Sequence, residues 1–121
     1  MQFLSIVRVN ESGNRRPDER LMNDMGKLMQ EMTAAGILLD TAGLMPASEG
    51  RRLRLRDGQI TQVDGPFTET REVIGGYAIL EAPSMVEALA ATRRFLEVHG
   101  DGWNIECEVR QMQRHPSGNA G

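Results

Sequence analysis

Residues 63–77 read VDGPFTETREVIGGY and join a predicted hairpin to the longest predicted strand of the chain. Pro66 fixes its own φ and biases Gly65 toward extended geometry. Asp64 can bond forward to the amides of the turn. A pair of glycines then opens the following strand, where the missing side chains allow a ligand or another backbone to come close. The segment predicts a tight connector beside a hollow.

The chain before the predicted hairpin contains two predicted strands and a helix. Residues 2–9 alternate and are apolar on both faces, which predicts a strand that is covered on both sides. A helix is predicted from Pro17, because leucines and methionines recur at helical spacing up to Gly36, a natural C-terminal stop. Residues 37–44 are predicted to form the next strand.

A hairpin precedes the segment, and a strand, a helix and another strand complete the chain. Asp57-Gly58 between two alternating runs is a strong hairpin signal. Ser84 with Glu87 is a capping-box pattern that opens the second helix. The predicted strands cover residues 52–56, 59–63, 73–82 and 104–112. The order β-α-β, hairpin, β-α-β predicts an α+β fold of the ferredoxin-like split βαβ type with an antiparallel sheet.

The apolar pattern of the predicted sheet predicts a homodimer. On residues 2–9, Leu4 and Ile6 oppose Phe3 and Val7, and on residues 73–82, Ile74 and Leu80 oppose Val73 and Ile79. Both helices should lie on one face of the sheet, so the apolar residues of the other face need a separate cover. A second copy, packed sheet to sheet, is the simplest one.

Length and charge limit the classes of protein. The 121 residues predict a single domain over residues 1–113, with a disordered tail over residues 114–121. The net charge of −3 argues against a nucleic-acid partner. Arg51, Arg52, Arg54 and Arg56 form a basic run, read either as the solvated side of a strand or as a patch for an anion or a partner.

Localisation is predicted from cysteine usage and hydropathy. Cys107 is the only cysteine, which fits a reducing compartment. The N-terminus lacks a basic region followed by a long apolar run, and no apolar stretch approaches the roughly 18 residues of a membrane span. A cytoplasmic protein without membrane contact is predicted.

The charged residues of the 63–77 segment predict a site. Asp64, if half-buried beside Glu69 or Glu72, would have a raised proton affinity and could shuttle a proton to a small substrate. Arg71 could offset those charges or hold a substrate carboxylate. The structural alternative is a plain connector, with Phe67 anchored in the core and the charges forming an ion-pair cluster.

The predicted site consists of one catalytic and seven ligand-binding residues. Asp64 is the catalytic candidate. The ligand-binding candidates are Gly65, Phe67, Glu69, Arg71, Glu72, Gly75 and Gly76. No metal or organic cofactor is predicted, because the sequence lacks a His/Cys cluster at metal spacing, a phosphate loop and a dinucleotide fingerprint. His99 is predicted to cap the second helix as a protonated side chain, and Cys107 to lie in the core.

The segment Asp64-Gly65-Pro66-Phe67, with the acidic and basic residues of 69–72 and the Gly75-Gly76-Tyr77 run, resembles the signature of DGPF-domain proteins, a branch of the YCII-related family. The similarity extends to residues 35–39 and to the C-terminal run 106–110. The resemblance implies a dimeric α+β barrel. It also implies that a His-Asp pair serves the YCII branch, but the first helix here has no histidine.

Three functions remain open at the level of the sequence. The first is small-molecule binding in a pocket near the Asp64 to Phe67 turn. The second is a cofactor-free lyase or isomerase that uses Asp64 for proton transfer. The third is a protein-interaction accessory in transcription control, since family members are often encoded near sigma factors. An open cavity beside Asp64 would favour the first two, and a closed, ion-paired turn the third.

Overall fold

The structure, a computed structural model, describes residues 1–10, 16–65 and 73–114. The elements follow the predicted order: β1 (Gln2–Val9), α1 (Glu19–Ala34), β2 (Leu38–Gly43), a 3₁₀ turn (Ala47–Glu49), β3 (Arg51–Arg56), β4 (Gln59–Asp64), β5 (Val73–Glu81), α2 (Met85–His99) and β6 (Ile105–Gln111). The ferredoxin-like α+β fold predicted from the sequence is therefore confirmed. Most of the predicted tail, residues 115–121, lies outside the described residues.

The main sheet has four strands in the order β2-β5-β1-β6, all antiparallel to their neighbours. The two long strands β1 and β5 form its centre, and Phe3 lies opposite Leu80 on one side and Gln111 on the other. β3 and β4 form the predicted hairpin as a separate two-stranded sheet. Asp57 and Gly58 both have positive φ, as the tightest hairpin turns require.

Both helices cover the same face of the sheet. Asp18 accepts a hydrogen bond from the amide of Leu21 at 2.8 Å and so caps the start of α1. Gly36 adopts φ +76°, and the amide of Ile37 donates to the carbonyl of Met32 at 2.9 Å, which ends the helix at the predicted glycine. The core between helices and sheet contains Phe3, Leu28, Met32, Leu38, Leu80, Ala82, Ala88 and Ala91.

α2 packs through small residues, not through the full buried stripe that its sequence predicts, which comprises Met85, Ala88, Leu89, Thr92, Phe95 and Leu96. Ala88, Ala91 and Thr92 are its buried residues, whereas Met85 and Leu89 are exposed. Leu89 lies about 100° around the helix from Ala88. Small side chains at the contact let the helix approach the sheet closely, so burial is centred on Ala88 and the larger residues at the edge of the stripe stay outside.

A β-bulge in β5 changes which of its residues share a face. Val7 pairs with Gly76 and Arg8 with Ile74, so Gly75 is the extra residue. The prediction that Ile74 and Leu80 share one face of the sheet, which assumes strict alternation along β5, is therefore wrong. Leu80 is buried under the helices, whereas Ile74 lies opposite Arg8 on the other face and is 47% exposed.

The face of the sheet away from the helices is called here the open face. Its central residues Leu4, Ile6 and Ile79 are apolar and half-buried. The register places Glu108 opposite Ile6 and Arg110 opposite Leu4, so β6 adds charges of both signs at one edge. The open face thus combines an apolar centre with a charged edge.

In the described part of the chain, neither helix is long and apolar enough to cross a membrane.

Candidate functional site

A cavity of about 160 Å³ lies between the sheet and the two helices, and is called here the helix-side pocket. Its apolar wall is formed mainly by side chains of α1, β2 and α2, namely Met29, Met32, Leu38, Ala91 and Phe95. Its hydroxyl-bearing residues are Ser5, Thr41, Tyr77 and Thr92. None of the described residues that line it is an acid, a lysine, an arginine or a histidine. The pocket therefore suits an uncharged molecule.

Gly75 and Gly76, two of the predicted ligand-binding residues, line this pocket. A Cβ on Gly76 would lie 2.8 Å from the carbonyl oxygen of Ala42 in β2, and a Cβ on Gly75 would lie 2.8 Å from Cγ2 of Val9. The close neighbours are thus β2's backbone and a β1 side chain. The same missing side chains leave the wall of the pocket open, and the ligand contact itself stays a prediction.

The polar end of the pocket is a pair of buried hydroxyls. Oγ1 of Thr92 lies 3.0 Å from the carbonyl of Ala88, to which it donates, and 3.5 Å from Oγ of Ser5. A hydroxyl has one proton, so the proton of Thr92 is used within α2. Ser5 keeps its own proton, which it can donate to the Thr92 oxygen, to the sulfur of Cys107 or to a hydrogen-bond acceptor in the pocket.

Two other ionisable groups near this pocket stay protonated at neutral pH. Burial raises the pKa of the Cys107 thiol, while contact with Ser5 acts in the opposite direction. The Tyr77 phenol donates to Oδ2 of Asp40 at 2.9 Å, and this hydrogen bond, followed by the charge of that carboxylate, raises the pKa of Tyr77. Neither group is therefore suited to act as a base or an anionic nucleophile at neutral pH.

A second cavity, of about 370 Å³, lies at the base of the hairpin and is called here the hairpin-base pocket. Its lining residues are Arg8, Leu44, Met45, Pro46, Ala47, Glu49, Gly50, Arg52, Val73 and Ile74. The strand β5 contributes to both cavities, because residues 73–74 line this one and residues 75–76 line the helix-side pocket. The sequence predicts one hollow near the 63–77 segment, whereas the structure has these two cavities there.

Asp64, the predicted catalytic residue, lines neither cavity. It ends β4 with its side chain 66% exposed, 3.1 Å from Nε of Arg51, and accepts a hydrogen bond from Nε2 of Gln62 at 3.0 Å. Its role as an acid or base stays a prediction, and its surroundings in the described residues are those of a surface ion pair.

Gly65 supports the wall of the hairpin-base pocket. Its amide donates to the carbonyl of Gly50 at 2.9 Å, and a Cβ at this position would overlap the carbonyl oxygen of Ala47. The turn therefore lies directly against the 47–50 segment that lines the cavity. The remaining predicted site residues, Phe67, Glu69, Arg71 and Glu72, lie outside the described residues.

Sequence reasoning missed the residues that give each cavity its polar character. Ser5 interrupts the apolar face of β1, and that single polar residue among buried neighbours was the available signal. Thr92 belonged to the predicted buried stripe of α2 without a polar role. Arg8 was hidden because nothing in the local sequence places it near the hairpin.

Within the described ranges, no group of three or more His, Cys, Asp or Glu side chains is placed to hold a metal ion. His99 ends α2 as predicted, but burial lowers its pKa, which disfavours the protonated form that the sequence predicts. Its ring packs edge-on against Trp103 with centroids 5.2 Å apart. The capping of the helix carbonyls is done by Arg20 of α1.

Fold and cavities together define a small ferredoxin-like α+β protein with a hollow between its helices and its sheet. The sequence matches the YCII-related domain over residues 1–113, and the chain belongs to this family. An uncharacterised protein of Rhizobium meliloti (strain 1021) is 33% identical over 85 residues, which is 70% of this chain and 68% of that protein. The resemblance seen in the sequence is confirmed.

Proposed function

We propose that the chain binds a small uncharged molecule in the helix-side pocket. The observation that carries this proposal is a cavity of about 160 Å³ with an apolar wall, buried hydroxyls and no charged side chain among its described lining residues. A cavity of about 150 Å³ in an engineered protein interior is large enough for benzene. The expected ligand is therefore of the size of a single ring or a short branched chain.

The hydroxyl pair gives the pocket a means of choosing among such molecules. A typical hydrogen bond contributes about 0.5–1.5 kcal/mol, so a ligand that accepts from Ser5 is favoured over a hydrocarbon of the same shape. Met29 and Met32 have flexible side chains that adapt to the apolar body of the ligand. A ketone, ether or alcohol with one ring or one short chain satisfies both features.

Binding is favoured over proton transfer by the same geometry. Among the described residues that line the pocket there is no base, since the Tyr77 phenol holds its proton and Asp64 ends β4 outside the lining. The thiol of Cys107, which is not a lining residue, also holds its proton. The lyase or isomerase that uses Asp64 remains an untested prediction, and no distance in the described residues supports it.

One observation favours the third function, a protein-interaction accessory. Leu53, Leu55 and Ile60 share one face of the hairpin by register and are all exposed. An isolated two-stranded hairpin is at best marginally stable in water. A protein partner that covers this face would stabilise it.

A matched pair of variants in α2 tests the binding proposal. Ala91→Leu fills the helix-side pocket, whereas Ala90→Leu makes the same change at an exposed neighbouring position. Phenol, benzyl alcohol, cyclohexanone and tetrahydropyran are titrated in a thermal-shift assay. A compound at 100 times its dissociation constant stabilises the wild type and Ala90→Leu by about 2.7 kcal/mol, and leaves Ala91→Leu unchanged.

Two further variants locate the polar contact. Ser5→Ala is expected to weaken the binding of cyclohexanone more than that of cyclohexane, and Asp64→Asn is expected to change neither. Equal stabilisation of Ala91→Leu and the wild type would refute the proposal, as would a wild type that none of the compounds shifts. If a folded Asp64→Asn variant loses binding, the ligand binds near the turn that Asp64 begins and not in the helix-side pocket.

We also propose that the chain is a homodimer that pairs through the open face. Support comes from the apolar centre of that face and from the charges of both signs on β6, which a two-fold axis can bring together. A cytoplasmic location is part of the proposal and is supported by the lone Cys107.

A further inference from the structure

We propose that the hairpin-base pocket is a second binding site, for a small monocarboxylate with an apolar body, and that Arg8 and Arg52 bind its carboxylate. The two arginines come from different sheets, since Arg8 lies on β1 and Arg52 on β3. Only the folded chain brings them to one cavity of about 370 Å³.

The lining offers two guanidinium groups to a carboxylate. Arg8 and Arg52 carry them, and Glu49 carries the one carboxylate among the described lining residues. Arg8 also contacts Oε1 of Glu108 through Nη2 at 3.2 Å, and the register places Glu106 opposite Arg8. A guanidinium has five N–H donors, so this contact leaves donors on Arg8 for a ligand.

The chemistry of the ligand follows from the guanidinium groups and from the rest of the wall. The planar fork of arginine suits the two oxygens of a carboxylate, and it stays charged over the whole physiological pH range. Leu44, Met45 and Ile74 are exposed apolar residues of the same wall. An exposed apolar patch beside a charge is typical of a binding site, so an organic acid with a ring or short chain fits better than an inorganic anion.

This site is separate from the helix-side pocket. The bulge at Gly75 places Val7 and Gly76 in the wall of one pocket, and Arg8 and Ile74 in the wall of the other. Of the described lining residues, none is charged in the helix-side pocket, whereas three are charged in the hairpin-base pocket. The two proposals therefore predict different ligands and can fail independently.

Benzoate and its neutral isostere benzamide are the probes, titrated by calorimetry and by amide chemical shifts. Benzoate is expected to bind saturably and to shift the amides of Leu44 and Ile74, whereas benzamide leaves these amides unchanged. Arg52→Gln is expected to weaken benzoate binding by at least about tenfold, because it removes a charge-assisted hydrogen bond. Arg54→Gln lies two residues along the same strand, outside the lining, and removes the same charge; it is expected to leave the affinity within about twofold.

Met45→Glu provides a second test at an exposed position of the wall and is also expected to weaken benzoate by at least about tenfold, so the test does not depend on the folding of Arg52→Gln. Ala91→Leu is expected to leave benzoate binding unchanged.

Arg8 and Ile74 belong to the open face, which is the proposed dimer interface. The titration is therefore repeated on Ile79→Lys, which is designed to stay monomeric. Saturable binding in either form supports the site. Equal losses in Arg52→Gln and Arg54→Gln, equal binding of benzamide, or no binding in both forms would overturn it.

Discussion

At Gly65, the lack of a side chain lets the end of β4 pack closely against the backbone of residues 47–50. Its amide bonds to Gly50, and its Cα lies so close to Ala47 that a Cβ would overlap a backbone carbonyl oxygen. A backbone atom cannot move aside as a flexible side chain can. The glycine of the turn is therefore required for close packing of the β4 end against the 47–50 segment.

We predict opposite effects for the same substitution at two glycines. Gly65→Ala should lower the free energy of unfolding by about 1–3 kcal/mol, because it forces a backbone shift. Gly26→Ala, inside α1 with open space around it, should raise it by about 0.5–1 kcal/mol through helix propensity. Urea denaturation measures both, and a Gly65→Ala variant as stable as the wild type would contradict the packing role.

At the scale of the element, the end of α2 couples both helices to the titration of His99. Nη1 of Arg20 donates to the carbonyl of Val98 at 3.2 Å and Nη2 donates to that of His99 at 3.1 Å, so α1 caps α2. Nδ1 of His99 lies 3.0 Å from the carbonyl of Phe95. Burial is the largest cause of the lowered pKa of His99, and the nearby guanidinium of Arg20 acts in the same direction.

We predict that the folded state loses stability as the pH falls below about 6.5. The pKa of His99 is lower in the folded chain than the usual value of about 6.5 that holds in the unfolded chain. The unfolded chain therefore binds more protons between these two pKa values. The contribution is fully present above pH 6.5 and is lost as the pH falls through the folded pKa.

The free energy of unfolding, measured by urea titration between pH 5 and pH 7.5, tests this prediction. His99→Gln should flatten the slope in that range. His115→Gln, the same change at the other histidine of the sequence, should keep it. If the slope persists in His99→Gln and disappears in His115→Gln, the titrating residue is His115 and the prediction is contradicted.

The hairpin and the bulge show which elements the sequence could predict. Asp57-Gly58 defined the hairpin because its turn chemistry is local, and β3 and β4 match the prediction to within a residue at each end. The bulge at Gly75 was not predicted, since a bulge exists only relative to a neighbouring strand. That one residue moves Ile74 to the open face and so changes what lines each pocket.

At the scale of the whole molecule, we predict a dimer whose interface is the open face. Wild-type protein at micromolar concentration should elute with a light-scattering mass of twice the 13.4 kDa of one chain. Ile79→Lys places a charge in the apolar centre and should give the mass of one chain. Leu89→Lys makes the same kind of change on the exposed side of α2 and should remain dimeric.

Circular dichroism shows whether each of these variants is folded, so a lower mass reports dissociation and not unfolding. A monomeric wild type would remove the dimer proposal. It would also leave the apolar centre of the open face uncovered in solution, with the consequence that aggregation rises with concentration.

The sequence by itself determined the elements, their order, the fold and the family, because hydrophobic periodicity, turn chemistry and caps are local properties of the chain. It also directed attention to the 63–77 segment, whose glycines line one pocket and support the wall of another. Only the tertiary structure decided that Asp64 lines neither pocket, that Ser5 meets Thr92, and that Arg8 joins Arg52. Each of these depends on strand register and helix packing between residues far apart in the chain, which no local pattern specifies.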